Sequence, residues 1–139
     1  MQNSAAYGPT LLRICLGIVF IAHSAYLKLV VFTMAGTVGF FESLGLPAIT
    51  AYGVVLAETL GGLMLIFGVR VREVALVLAV ISFGAVWVHA GNGWLFNNQG
   101  GGWEYPLLLA LACIVQFLLG AGKLQPKWDE RMGAVLWIK

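Results

Sequence analysis

The sequence predicts an all-α fold, an integral membrane four-helix bundle with both termini cytoplasmic. Three observations carry this. Hydrophobic residues make up 60% of the 139-residue chain and charged residues only 10%, against roughly half and a quarter in soluble domains. Four apolar stretches approach the roughly 17–25 residues that a bilayer crossing needs. The basic residues collect at one set of span ends.

The first span is expected from Pro9 to Phe32. Gly8-Pro9-Thr10 is a helix start with proline in its first turn. No basic region precedes the apolar run, so a retained helix is expected rather than a cleaved signal. The connection from Thr33 to Pro47 admits a short interfacial helix around Val38–Leu44. The second span, Ala48 to Val69, carries Gly53, Ala57 and Gly61 four residues apart. That stripe is expected to let a neighbouring helix approach closely. The very short turn Val69-Arg70-Val71-Arg72 makes the second and third spans an antiparallel hairpin, and the third runs from Val74 to Ala90. The fourth, Tyr105 to Ala121, opens behind Trp103-Glu104 and closes at Gly120-Ala121-Gly122. Residues 1–124 form one transmembrane domain in this reading. Residues 125–139, with Trp128 and Trp137 among charges, form a cytoplasmic interfacial tail that could bind a partner.

Four passes place Arg13, Arg70, Arg72, Lys123, Lys127, Arg131 and Lys139 on one side, and Lys28 alone on the other. The positive-inside rule puts the first set in the cytoplasm. These basic residues lie at membrane boundaries and form no patch, so nucleic acid is not an expected partner. The expected setting is the bilayer of a bacterial cytoplasmic membrane, with other membrane protein subunits as partners. Cys15 and Cys113 read as small apolar residues, with a redox pair as the alternative.

Each span brings one ionisable residue, His23, Glu58, His89 or Glu104. Such groups are costly in hydrocarbon and face a partner, a cavity or a ligand. At 1.5 Å of rise per residue they sit ~21, ~18, ~24 and ~27 Å from the cytoplasmic ends. That is the outer half of a core about 30 Å thick. Lys28, at ~28 Å, can reach the outer headgroups or pair with Glu58, and it belongs with the ligand-binding or proton-handling candidates. Tyr26 and Tyr105 could flank the group. The loop from Gly91 to Glu104 holds five glycines, four amides, two tryptophans and Phe96. It is either an aromatic anchor at the membrane surface or a flexible lid over a cavity. Several readings of the site stay open: a structural network, a proton-handling or ligand site, a metal set, or axial haem ligation by two histidines.

Together these residues resemble the DoxX family of small bacterial membrane proteins, from about Thr10 to Leu124. The pieces are Leu12-Arg13 with Gly17 and Phe20, then His23 and Lys28, Gly39-Phe40 and Leu44-Gly45-Leu46-Pro47. Ala57-Glu58, Gly61-Gly62, Gly68 with Arg70, His89 and Asn92-Gly93 follow. Gly102-Trp103-Glu104-Tyr105 and Gly120-x-Gly-Lys-Leu complete the set. No one piece is specific, but their order and spacing are. The resemblance implies four membrane helices with both termini inside. It also implies a link to quinone-dependent redox chemistry or oxidative-stress complexes. The stretch after His23 departs from the family's Gly-x-x-Lys form. The resulting expectation is an accessory or quinone- or lipid-interacting subunit of a membrane oxidoreductase complex. The alternatives are a structural subunit and a metal-binding protein.

Overall fold

A computed structural model describes residues 4–126. All its regular elements are helical. A single-turn 3-10 helix, Ser4–Tyr7, leads into α1, Gly8–Ile21, which continues without a break as a π-helix, Ala22–Val31. Then come α2, Thr33–Ser43; α3, Ala48–Phe67; α4, Val71–His89; and α5, Glu104–Leu119. The interfacial helix expected around residues 38–44 is therefore α2, longer and earlier in the chain than expected.

Local chemistry sets the boundaries. Pro9 fits the first turn of α1, where its missing N–H costs nothing. Pro47, in extended backbone, precedes α3. Gly68 closes α3 at φ 78, with Gly68 N–H donating to Leu65 O at 3.2 Å and Val69 N–H to Met64 O at 2.9 Å. This left-handed closure favours glycine. Thr33, at φ 62, has no such freedom. A β-branched residue there is strained. Its Oγ1 accepts from Gly36 N–H at 3.2 Å, and its carbonyl accepts from Thr37 Oγ1 at 3.0 Å.

Three helical stretches are long and apolar enough to cross a membrane: Ser4–Val31, Ala48–Phe67 and Val71–Asn92. The fourth expected span is a shorter apolar helix of 16 residues, about 24 Å long. It starts at Glu104 and ends when Gly120 leaves the helix at φ 75. α1 packs on α3, α3 on α4, α4 on α5 and α5 on α1. The shared core is narrow, built on Leu16, Phe20, Leu65, Leu78, Ala79 and Cys113. Ile18, Ile49, Leu56, Val80, Leu108 and Leu118 stay exposed. A polar outside is absent where lipid tails are the solvent.

The close crossing is not where the small-residue stripe put it. A Cβ on Gly17 would sit 2.5 Å from Gly62 O, and one on Gly62 would sit 2.8 Å from Gly17 O. Backbone of α1 thus lies against backbone of α3 through Gly17 and Gly62. Gly61 does face Leu78 of α4, at 3.2 Å, but Gly53 has open space around it.

The end of the helices near Pro9 is held by Arg13, only 2% exposed. Its guanidinium donates to Leu65 O at 2.6 Å, to Ile66 O, to Ala121 O at 3.0 Å and to Leu124 O at 2.5 Å. The last carbonyls of α3 have no partner within their own helix, and a cation there also meets the negative end of the helix dipole. Arg72 does the same for α5 through Phe117 O, at 2.9 Å.

Candidate functional site

At the opposite end, the π-helix, the first half of α3, the second half of α4 and the start of α5 enclose a cavity of about 430 Å³. That is within the usual range for small-molecule sites. His23 and Lys28 line it from the π-helix, Phe40 and Phe41 from α2, and Glu58 from α3. Ser82, Ala85 and His89 contribute from α4, and Tyr105 and Pro106 from α5. Ten residues of π-helix are unusual, because such turns mostly occur singly and often at functional sites. Here the widened turns carry both titratable groups that the first helix gives to the cavity.

Glu58, 6% exposed, is paired. Lys28 Nζ donates to Glu58 Oε2 across the contact of π-helix and α3. Of the two courses the sequence left to Lys28, the outer headgroups or a pair with Glu58, it takes the second. Two neutralised charges are far cheaper to bury than one. Thr37 Oγ1 steadies this turn by donating to Lys28 O at 2.9 Å. Deeper in the same contact, the Ser24 and Thr59 hydroxyls lie 2.9 Å apart.

His23 Nδ1 is 2.9 Å from Val19 O. A carbonyl only accepts, so Nδ1 carries a proton and donates, which leaves Nε2 as the ring's second polar atom. The ring stacks on Tyr105, with centroids 5.6 Å apart and planes 19° from parallel. His89 is held in the same way, its Nδ1 3.0 Å from Gly100 O and 3.1 Å from Gly101 O. Asn92 Nδ2 donates to both of these carbonyls as well.

The site therefore gathers His23, Lys28, Glu58, His89 and Tyr105. Two expected members lie elsewhere. Glu104 is absent from the lining: it starts α5 and accepts from Phe96 N–H at 3.0 Å. Its carboxylate closes the preceding loop. Tyr26 is 61% exposed, on the outer side of its helix. The residues missed from sequence are Ser82 as a buried lining group and the α2 aromatics. The available signal was that Ser82, Ala85 and His89 recur at helical spacing in the sequence. Among the described residues, no three His, Cys, Asp or Glu side chains gather where they could hold a metal ion. Cys15 is exposed and Cys113 buried, and both are free thiols.

The loop before α5 is built rather than loose. Trp103 N–H donates to Gly93 O and Glu104 N–H to Trp94 O, both at 3.1 Å. Trp94 and Trp103 meet edge to face at 4.5 Å. Gly102 packs so tightly that a Cβ would lie 2.1 Å from Leu95 O. The loop is tied to the site through His89 but gives no residue to the cavity lining.

Apolar helices around an internal cavity that holds a few polar groups define a class, the small helical membrane proteins with a site among their helices. The DoxX family model matches residues 8–91. The chain is 38% identical over 122 residues to "Putative oxidoreductase CatD" of Bacillus subtilis (strain 168), covering 87% of this chain and 85% of that protein. It is 32% identical over 127 residues to an uncharacterized protein of Haemophilus influenzae (strain ATCC 51907 / DSM 11121 / KW20 / Rd), covering 88% and 92%. The chain belongs to the DoxX family. No solved structure gives a significant match.

Proposed function

We propose that this chain is an accessory subunit of a membrane oxidoreductase and holds a quinone or a similar lipid-like molecule among its helices. The observation that carries the reading is the cavity itself. Its walls are mostly apolar, and they bring the Lys28–Glu58 pair and two histidines held through Nδ1 to one place. A quinone head group needs hydrogen-bonding groups inside an otherwise apolar pocket. The oxidoreductase name of the Bacillus relative supports the redox setting.

The setting proposed with it is a bacterial inner membrane crossed four times, with α5 as the fourth crossing and both termini inside. Arg13, Arg72 and Lys123 at one end of the helices, against Lys28 at the other, support this orientation. The small size and apolar exterior support assembly with other membrane subunits. Of the partner-binding tail in this proposal, residues 125–139, positions 127–139 lie outside the described residues.

The test is extraction and quantification of quinone from the purified protein, followed by add-back. Bound quinone is expected in the wild type and less in Glu58→Gln and His89→Ala. Wild-type protein that carries none and takes up none when it is supplied contradicts the reading.

A further inference from the structure

Five of the Ser and Thr residues in the described helices invite comparison. Ser24 donates to Phe20 O, Thr37 to Thr33 O, Ser43 to Phe40 O and Thr59 to Val55 O, at 2.7 to 3.0 Å. That return to a carbonyl three or four residues back is the normal outlet for a helical hydroxyl in apolar surroundings. Ser82 does not take it. The residue is 3% exposed, and its Oγ has no hydrogen-bond partner. A buried hydroxyl left unpaired is costly, and such groups are rare. Ser82 is also a lining residue of the cavity. On α4 it lies seven positions before His89, about 10 Å deeper along the helix axis. A χ1 step between staggered wells is small beside the cost of staying unpaired.

We propose that Ser82 is a specificity-determining group that hydrogen-bonds an oxygen of the cavity's ligand. This deepens the quinone reading and rests on it. The ligand class follows from the surroundings. Lys28 and Glu58 already neutralise each other, so the site calls for an uncharged molecule. A hydroxyl donates to a carbonyl or accepts from a hydroxyl, so the ligand carries oxygen in either form on an apolar body. A ligand oxygen within reach of Ser82 Oγ supplies the partner that this hydroxyl lacks.

The signature is a split between stability and affinity. Removing an unpaired hydroxyl relieves the empty protein, while the same change removes a bond from the complex. The experiment uses full-length purified protein, a short-tailed benzoquinone, and an oxygen-free arene with the same tail. Both probes are titrated into wild type and Ser82→Ala, and each unliganded protein is melted in the same detergent. Ser82→Ala is expected to bind the quinone about tenfold more weakly. It should bind the arene equally well and melt no lower than wild type. Ser82→Thr, which keeps the hydroxyl, should retain most of the quinone affinity. Equal quinone affinity in wild type and Ser82→Ala overturns the proposal and leaves the quinone reading standing. So does equal weakening for both probes with a lowered melting temperature, which marks a packing role. Wild-type protein that binds neither probe overturns both.

Discussion

Breaking the Lys28–Glu58 pair should have unequal consequences depending on which partner is lost. Glu58 has 7% of its side chain exposed and Lys28 has 22%. In Lys28→Met the carboxylate stays inside without its cation. Stranding one member of a buried pair costs about 3–5 kcal/mol. In Glu58→Gln the ammonium keeps a flexible stem with some access to the exterior, and it can swing its charge outward. The cost there should be nearer 1–2 kcal/mol, because partial exposure screens the remaining charge. The double variant Lys28→Met, Glu58→Gln strands no charge and should be more stable than Lys28→Met alone. The assay is thermal unfolding of the four proteins in one detergent, read as a double-mutant cycle. Lys28→Met should lower Tm by about 10 °C or more, and the double variant should recover much of that. Additive losses, or a larger loss in Glu58→Gln than in Lys28→Met, would refute the pairing argument.

The helix crossing gives a second test. Gly17→Ala or Gly62→Ala should destabilise by about 1–3 kcal/mol or more, because each new Cβ meets backbone. Gly53→Ala, with open space, should be neutral or stabilising, as thermal melts of the three variants will show. Arg13→Lys should cost about 2–3 kcal/mol in the same assay, since one ammonium cannot reproduce a planar fork serving four carbonyls. Gly102→Ala should open the loop before α5, because its Cβ collides with Leu95 O. Faster proteolysis between residues 91 and 104, with the remaining helices intact, is the expected readout.

The helices were legible because hydrophobic length and the Pro9, Pro47 and Gly68 punctuation are local signals. The depth argument brought His23, Glu58 and His89 to one level, where they line one cavity. Depth alone says nothing about rotation around the helix axis, so Tyr26 was placed with them although it faces outward. Glu104 has the expected height, but an acidic residue at the first turn of α5 was free to bond the folded loop. The π-helix has no compositional signal, although it carries both His23 and Lys28. Arg13 read as a residue reaching for the cytoplasmic interface. Its role depends on carbonyls released by α3 and on the segment after α5, which are more than fifty residues away in sequence. The Gly17–Gly62 contact likewise depends on how α1 and α3 cross, which the pattern of small residues in one helix does not specify.

The account turns on whether the cavity near Lys28 and Glu58 holds a quinone-like ligand. Photo-crosslinking with a photoreactive short-tailed quinone, read by peptide mass spectrometry, tests this most directly. The account predicts adducts on the segments around His23, Glu58 and Ser82–His89, suppressed by excess unlabelled quinone. Adducts confined to exposed positions such as Ile18, Ile49 and Leu108, unaffected by competitor, would contradict it.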